Sequence, residues 1–295
     1  MSAGARSVAL IANPASGRGR VARLIPQAVE RLRSAGVEAE VKASRSAAHA
    51  TELAADAAGR HRVVVAFGGD GMVHLVCNGV IGSQAALGIL PAGTGNDFAA
   101  NLGYQRKDPL AACAAIAAGR VRSVDAGRVE GGPWFVCVAG GGFDSEVNRV
   151  ANRMRFLRGT PVYVTATLRT LARFRPARFM LDLDGAAREI DAMFVAVGNA
   201  ASYGGGMRIC PAALPDDGLF DVTIVGAVGR LGLLRQFPRL FKGTHVDHPA
   251  VHTARARSVR IASERPFMLY ADGEEICPLP ATLTVHPGAL RVIAP

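Results

Sequence analysis

The chain has 295 residues, of which 49% are hydrophobic and 6% aromatic, enough apolar material for one large or two ordinary domains and too much for a disordered chain. Thirty-four Lys and Arg residues against 24 Asp and Glu residues give a net charge of +10, which points to a polyanionic partner. The shortage of aromatic rings argues against single-stranded nucleic acid, whose bases stack on such rings.

Strand and helix patterns alternate through the first part of the chain. Predicted strands occupy Ser7–Ala12, Val37–Ala43, Arg62–Phe67 and Ala86–Leu90. Helical spacing follows each of them, ending near Gly36, Ala58 and Ile81 after the first three, and one more helix is predicted over Pro109–Ala118. Such alternation predicts a mostly parallel sheet covered by helices, a Rossmann-like α/β domain over residues 1–122.

After Arg120, strand-like runs follow one another with turns between them. The dipeptide Asp184-Gly185 separates two of these runs and predicts a β-hairpin. One helical interruption is predicted over about Ser145–Phe174. Residues 123–295 are therefore predicted to form an antiparallel β-sandwich domain. The predicted strands are Val121–Val129, Trp134–Ala139, Arg178–Leu183, Ile190–Gly198, Leu219–Val225, Ser258–Ala262, Phe267–Ala271, Ala281–His286 and Leu290–Ile293.

Three glycine-containing loops follow predicted strands of the α/β domain: Asn13–Arg20, Gly68–Gly71 and Pro91–Phe98. Carboxyl ends of parallel strands meet at one edge of a sheet, where ligands bind. Glycines let the backbone approach a phosphate, and helix N-termini supply free N–H groups. Each loop alone is also compatible with an ordinary strand-to-helix turn, and neither GxxxxGK[ST] nor GxGxxG is present.

The five cysteines are widely spaced and form no CxxC pair, so we expect free thiols in a reducing compartment and no zinc site. No apolar run approaches the ~18 residues that a membrane-spanning helix needs. We therefore expect a cytoplasmic protein, with peripheral membrane contact left open.

Taken together, the motifs resemble the diacylglycerol kinase catalytic domain family, in its bacterial lipid kinase branch. The resemblance covers nearly the whole chain in the family's order. The motifs that carry it are Asn13-Pro14 with Ser16-Gly17, Gly68-Gly69-Asp70-Gly71 with Asn78-Gly79, Pro91 with Gly93-Thr94 and Asn96-Asp97-Phe98, Gly140–Asp144, Gly204–Asp221 and Asp272-Gly273-Glu274.

The resemblance implies an α/β nucleotide domain, a β-sandwich domain and a site in the cleft between them. It implies transfer of the γ-phosphoryl group of ATP, with Mg²⁺, to the hydroxyl of a diacylglycerol-like lipid. The residues it places around ATP are Asn13, Pro14, Ser16, Gly17, Ser44, Gly68, Gly69, Asp70, Gly71, Met72, Gly93, Thr94, Asn96 and Asp97.

The resemblance also assigns catalytic and metal-binding roles. Asp272 or Glu274 would accept the proton of the substrate hydroxyl, and Asp70 with Asp97 would support Mg²⁺ through water. A second, structural Mg²⁺ would be bound by Asp217 and the backbone carbonyls of Leu214 and Leu219. From the residues alone, this acidic turn is equally compatible with an ordinary solvated turn, and the Asp272 segment with a turn at a strand end.

Eight arginines and no acidic residue lie between Arg149 and Arg178. Interleaved apolar residues make the segment amphipathic, as in helices that lie on anionic bilayers, although a solvated charged face over ordinary core gives the same pattern. A lipid substrate favours the first of these interpretations, with the protein in contact with the inner face of the membrane. The arginines assigned to the membrane are Arg149, Arg153, Arg155, Arg158, Arg169 and Arg173.

The chain departs from the family at the start of the helix after Gly71. Met72 stands where the family usually has Thr, Leu75 replaces an acidic residue, and His74 lies between them. These changes keep open a regulatory homologue that binds nucleotide without transferring phosphate. A kinase with a soluble substrate, of the NAD kinase type, shares the GGDG loop and is the other alternative. No nucleic-acid-binding motif is present, and a homodimer is left open.

Overall fold

The computed structural model describes residues 6–153, 165–166, 169–170 and 174–295. The chain divides into two compact units. Unit 1 comprises the residues up to Ala126 together with Pro287–Pro295, and unit 2 comprises Gly127–His286. The last strand contributes its first residues to unit 2 and its final residues to unit 1, so unit 1 is discontinuous in sequence.

Unit 1 is built on a parallel sheet. The order of its strands is β15-β4-β3-β1-β2, where only the end of β15 belongs to this unit. Strands β3 and β4 are buried along nearly their whole length, which explains why they are continuous apolar runs in the sequence. The strands are β1 (Arg6–Ala12), β2 (Val37–Ala43), β3 (Val63–Gly68), β4 (Ala86–Pro91) and β15 (Ala281–Ile293).

Helices connect these strands as the sequence predicted. Ser46 caps α2 by accepting a hydrogen bond from the His49 N–H at 3.1 Å. Gly79 lets α3 pack closely on α2, because a Cβ there would lie 2.6 Å from the Thr51 carbonyl oxygen. The helices are α1 (Ser16–Ser34), α2 (Ala47–Ala58), α3 (Asp70–Val80), α4 (Asp97–Asn101) and α5 (Ala112–Ala118).

Unit 2 is built from antiparallel strands around the long strand β9, which pairs with β8 first and then with β7 and β10. The predicted fold class, a parallel α/β part followed by an antiparallel part, is confirmed. The strands are β5 (Val121–Val129, which begins in unit 1), β6 (Trp134–Phe135), β7 (Val138–Gly142), β8 (Ala177–Leu183), β9 (Ala186–Gly198), β10 (Phe220–Gly226), β11 (Val251–Ala256), β12 (Ser258–Ser263), β13 (Met268–Ala271) and β14 (Glu274–Pro278).

Two tight turns in unit 2 have the same construction. Asp184 and Gly185 have φ angles of 54° and 89° and join β8 to β9, which confirms the predicted hairpin. Asp272 and Gly273, with φ angles of 51° and 89°, join β13 to β14 in the same way. Both central residues of a type I′ turn need a positive φ, which Asp and Gly tolerate best.

The helices of unit 2 differ from the prediction. Helix α6 (Phe143–Arg153) covers the start of the predicted helical segment, whose later part lies largely outside the described residues. A further helix, α7 (Arg230–Lys242), was not predicted, and reading this half as strands apart from one helical interruption was therefore wrong. Its apolar residues recur every three or four positions, but Pro238 lies inside the helix and weakens the helical pattern.

Candidate active site

The three loops expected to bind phosphate lie side by side. Strands β1, β3 and β4 are neighbours in the parallel sheet, so the loops that follow them leave the same edge. The second and third loops are joined directly, because the Ala92 N–H donates a hydrogen bond to the Gly68 carbonyl at 2.8 Å. The structure thus brings the predicted loops together within unit 1.

Close backbone approach explains the glycines of these loops. A Cβ on Gly69 would lie 3.0 Å from the Cα of Gly93, and a Cβ on Gly93 would overlap Gly69. A Cβ on Gly68 would lie 2.7 Å from the Cβ of Met72. Gly71 lies in the first turn of α3. The loops therefore meet backbone to backbone, an approach that a side chain at Gly69 or Gly93 would block.

Asp70 ties the second loop to the start of α4. Its Oδ1 accepts hydrogen bonds from the backbone N–H groups of Asp97, at 2.6 Å, and Phe98, at 3.4 Å. Burial, together with the negative charge of Asp97, raises the pKa of Asp70 from 3.8 to about 6. The loops thus hold a carboxylate whose ionised form is poorly compensated by the protein.

Asp97 and Asn96 are buried and fixed by a residue that the sequence did not single out. The Asp97 carboxylate pairs with Arg106 at 2.8 Å, and Arg106 also donates to the Gly95 carbonyl at 2.8 Å. Asn96 has a φ of 51°, accepts a hydrogen bond from the Gly93 N–H at 2.9 Å and donates to the Arg106 carbonyl. Arg106 lies between two basic or polar neighbours in sequence and no motif marks it.

This carboxylate pair fits a cation that arrives with a ligand. Among the described residues, no three His, Cys, Asp or Glu side chains converge in a way that would hold a metal by themselves. Asp70 and Asp97 do lie together, and the Arg106 guanidinium pairs with Asp97, so a divalent cation with phosphate ligands would relieve the charge that raises the pKa of Asp70.

The loop after β1 forms the start of α1. Asn13 fixes it, since its Oδ1 accepts the Ala15 N–H at 3.0 Å and its carbonyl accepts the Ser16 N–H at 3.0 Å. Gly17 has a φ of 59°. Pro14 is half-buried, and no acidic residue lies in the first turn of α1. The first turn of this helix therefore carries no carboxylate that would repel an anion from its N-terminus.

Two hydroxyl residues assigned to ATP have different surroundings. Thr94 is exposed in the loop after β4. Ser44 is buried, and its hydroxyl donates to the Ala12 carbonyl at 3.2 Å, which anchors the end of β1. Thr94 is thus available to a ligand, whereas Ser44 has a structural partner.

The residues of α3 that differ from the family pattern pack into the interior of unit 1. Met72 and His74 are buried in the first turns of the helix, and Leu75 is half-buried. Because Met72 packs over Gly68, its thioether occupies space beside the loop without adding a hydroxyl donor. The backbone N–H of Met72 donates to the Gly69 carbonyl at 3.0 Å.

The two carboxylates assigned as base differ in their contacts. Asp272 in unit 2 accepts hydrogen bonds from the backbone N–H groups of Val136, at 2.9 Å, and Cys137, at 2.8 Å. Glu274 is exposed at the start of β14. A small, mainly apolar pocket opens beside this turn, lined by Gly140, Phe194, Tyr203, Tyr270 and Gly273 among others.

In the turn assigned to a structural Mg²⁺, the predicted carboxylate ligand is paired with an arginine. Arg255 forms an ion pair with the Asp217 carboxylate, whose Oδ1 also accepts the Leu219 N–H at 3.1 Å. The Nε of Arg255 lies 3.5 Å from Asp221. Leu214 is exposed. The Asp217 carboxylate is therefore compensated by a guanidinium, the metal site stays a prediction, and no step is derived through a metal at this turn.

The arginines assigned to the membrane lie in different situations. Arg149 pairs with Glu146 at 2.6 Å, so its charge is compensated within α6. Arg169 is exposed, and the backbone of Arg153 ends α6. Arg155, Arg158 and Arg173 lie outside the described residues. Within the described part of the chain, no helix is long and apolar enough to cross a membrane.

Comparison with known proteins supplies two family matches. Residues 7–129 match the diacylglycerol kinase catalytic domain. Residues 137–294 match the YegS C-terminal NAD kinase beta sandwich-like domain. The two matches meet near the division between the two structural units.

Relatives match over nearly the whole chain. A diacylglycerol kinase of Mycobacterium tuberculosis is 42% identical, over 98% of this chain and 95% of the relative. A YegS-like probable lipid kinase of Pseudomonas fluorescens is 34% identical, over 91% of this chain and 89% of the relative. A solved diacylglycerol kinase structure from Bacillus anthracis aligns with a TM-score of 0.74 and 21% identity, over 100% of this chain and 98% of that one, and shows the same fold.

Proposed function

The chain belongs to the diacylglycerol kinase catalytic domain family, and from that premise we propose an ATP-dependent lipid kinase. The proposed reaction transfers the γ-phosphoryl group of ATP to the hydroxyl of a diacylglycerol-like lipid. The observation that carries the proposal is the Asp70–Asp97 pair, held among three adjacent loops at the carboxyl edge of the parallel sheet.

Phosphoryl transfer requires mainly positioning and compensation of charge. The N–H groups at the start of α1 and along the Gly68–Gly71 loop are proposed to bind phosphate oxygens, and Thr94 adds an exposed hydroxyl. Asp70 and Asp97 are proposed to hold Mg²⁺ with its nucleotide. The bound ion would neutralise charge on the phosphates, which is the chemistry that these side chains cannot supply.

The position of the Asp97 carboxylate also depends on Arg106. Their ion pair keeps the Asp97 carboxylate fixed beside Asp70, and the contact of Arg106 with the Gly95 carbonyl ties the same guanidinium to the loop. Arg106 is therefore proposed as a positioning residue, which acts on the nucleotide loops through Asp97.

The acceptor hydroxyl must lose a proton as its oxygen attacks phosphorus. Asp272 and Glu274 are the carboxylates proposed for this proton. Asp272 is held in place by two backbone N–H groups, while Glu274 is exposed. The apolar pocket beside them suits the hydrocarbon next to the hydroxyl.

The family match gives a soluble-substrate kinase some support, because the C-terminal domain resembles that of NAD kinases. The N-terminal match is to the diacylglycerol kinase catalytic domain, and the relatives compared are named as kinases of lipids. We therefore propose a lipid acceptor, met through peripheral contact with an anionic membrane.

A product assay tests the proposal. Purified protein is incubated with ATP, Mg²⁺ and mixed bacterial lipids, and in parallel with NAD, and all products are identified by mass spectrometry. A phosphorylated lipid is expected with the lipids and no product with NAD. Product from NAD alone would establish the soluble-substrate kinase. If neither gives product, the double variant Met72→Thr/Leu75→Glu tests the regulatory homologue, in which these two changes should create activity.

A further inference from the structure

Helix α7 exposes two aromatic side chains. Phe237 is 38% exposed and Phe241 47% exposed, and they are the aromatic members of the exposed large hydrophobic side chains in the described part of the chain. They lie one helical turn apart with ring centroids separated by 5.8 Å and planes at 76°. Exposed apolar surface of this kind marks an interaction site more often than isolated aliphatic residues do.

Basic side chains lie on the same exposed helix as the two rings. Helix α7 has no Asp or Glu, and its exposed Arg235 and Lys242 are seven positions apart and so share one side of the helix. Arg208 is also exposed, and its backbone N–H donates to the Leu240 carbonyl at the end of α7. At about 100° per residue, Arg235 and Lys242 lie roughly 130° around the helix from the two rings, so the rings and these cations border opposite sides of its exposed face.

The acidic side chain of Asp247 approaches the helix. Asp247 lies 3.6 Å from Arg239, which also donates to the Thr244 hydroxyl at 3.4 Å. Arg239 is thus compensated within unit 2. Asp247 does not pair with Arg235 or Lys242, so the exposed side of the helix keeps its positive charge.

We infer that α7 is the surface by which the protein binds an anionic bilayer. Phenyl rings would enter the interface between headgroups and acyl chains, and Arg235 and Lys242 would contact lipid phosphates, as in helices that lie in the plane of a membrane. The proposed function gives this surface its purpose, since the acceptor is a lipid. The binding itself does not depend on phosphoryl transfer.

A second copy of the chain is a poorer occupant. Two α7 helices facing each other would bring together two segments that carry basic residues and no acidic one, which opposes association. A stable protein interface also buries about 800 Å² on each partner. Two half-exposed rings supply a small part of that area, whereas they suffice for an interfacial anchor when cations assist.

A fluorescent probe on the helix tests the inference with the whole chain. Trp134 is the single tryptophan, so Trp134→Phe with Phe241→Trp reports from α7 alone. With vesicles of phosphatidylcholine and phosphatidylglycerol, the emission should move to shorter wavelength and be quenched by brominated acyl chains. Vesicles of phosphatidylcholine alone should cause little change at low protein concentration.

Vesicle flotation with matched variants measures the contribution of each group. Phe237→Ser with Phe241→Ser should weaken binding at least tenfold, while Val41→Ser with Val121→Ser removes exposed apolar surface elsewhere and should leave binding unchanged. Arg235→Gln and Lys242→Gln should each weaken binding about fivefold at low salt, since a basic residue near an anionic surface contributes about 1 kcal/mol. Thermal melts establish that every variant is folded.

The results separate this inference from the kinase proposal. Unchanged vesicle binding by the folded double serine variant overturns the docking surface, even if lipid phosphorylation is found. A dimer in light scattering that the same variant dissociates also overturns it, in favour of a second copy. Conversely, vesicle binding that depends on Phe237 and Phe241 supports the surface, even if the product assay shows no lipid kinase.

Discussion

The phosphate-binding loops proposed for unit 1 and the membrane-binding helix proposed for unit 2 are built in opposite ways. The loops of unit 1 are packed backbone to backbone, and Asp70 and Asp97 are held inside them at hydrogen-bonding distance. The α7 surface of unit 2 consists of side chains that the fold leaves outside, with Phe237 and Phe241 uncovered. A phosphate site depends on backbone conformation, whereas a membrane surface depends on which side chains remain exposed.

The largest loss of stability is expected from Asp272, a carboxylate of unit 2 that is held as tightly as those of unit 1. Asp272→Ala removes the acceptor from the buried N–H groups of Val136 and Cys137 and places alanine at a φ of 51°. Hydrogen bonds to a charged group contribute about 1.5–3 kcal/mol each, so unfolding free energy should fall by about 3 kcal/mol or more. Denaturant titration measures this loss.

Glu274 is the matched control for that comparison. Because it is exposed, Glu274→Gln should change the unfolding free energy by less than about 0.5 kcal/mol. A lipid phosphorylation rate that falls for this variant alone assigns the base to Glu274, whereas a fall in Asp272→Asn with Glu274→Gln unchanged assigns it to Asp272. Equal stability losses for Asp272→Ala and Glu274→Gln would contradict the contrast between them.

The cost of ionising the buried Asp70 carboxylate should make the stability of the protein depend on pH. Its pKa of about 6 in the fold exceeds the ordinary value of 3.8, so the folded state binds the proton more tightly and loses stability as pH rises through this window. The uncharged Asp70→Asn should be more stable than wild type by about 3 kcal/mol above pH 6, with the difference vanishing below about pH 4.

Melts across this pH range measure the Asp70 effect. Saturating Mg²⁺ and ATP should reduce the difference between Asp70→Asn and wild type, because the ligand compensates the ionised carboxylate. A difference that does not change with pH would show that Asp70 is already compensated by the protein and would remove the argument for a cation there.

In unit 2, we expect the Arg255 guanidinium to compensate the Asp217 carboxylate, the role that the sequence analysis gave to a metal ion. Arg255→Gln leaves Asp217 and the more buried Asp221 without their cation and should lower stability by about 1–2 kcal/mol, a figure reduced for the half-exposed guanidinium. Adding Mg²⁺ should recover part of this loss in the variant and leave wild type unaffected. Arg260→Gln, an exposed position of β12, serves as control. Equal stabilisation of wild type by Mg²⁺ would show that the turn binds the metal after all.

The smallest effect is expected at Met72. Met72→Thr restores a hydroxyl beside the Gly68–Gly71 loop and should tighten ATP binding a few fold, by about the 0.5–1.5 kcal/mol of one hydrogen bond. The loss of buried methionine volume should lower stability by about 1 kcal/mol. Calorimetric titration with ATP checks the affinity, and weaker binding by the threonine variant would show that the thioether suits this site.

The sequence predicted the parts of the fold that local patterns determine. The continuous run at β3, the alternation of strands and helices in unit 1 and the Asp184-Gly185 turn all appear as expected. Interruptions were harder to place. The predicted strand Trp134–Ala139 is divided into β6 and β7, and the runs on either side of Pro287 form the single strand β15.

The candidate site was predicted as far as it rests on motifs. Glycines and acidic residues at strand ends identified the loops, but the pairing of Arg106 with Asp97 and of Arg255 with Asp217 joins residues that no spacing connects. Helix α7 was missed because Pro238 weakens its pattern, and exposure of Phe237 and Phe241 depends on packing that a sequence does not display.

We propose that the loops of unit 1 bind ATP so that its γ-phosphoryl group is transferred to a lipid. The most direct test is the rate of phosphate transfer from γ-labelled ATP to a short-chain diacylglycerol, measured side by side for wild type and Asp70→Asn. A labelled phospholipid product from wild type, reduced at least a hundredfold in the folded variant, is the predicted result. Equal rates for the two proteins, or no product from wild type with any lipid acceptor, would contradict the claim.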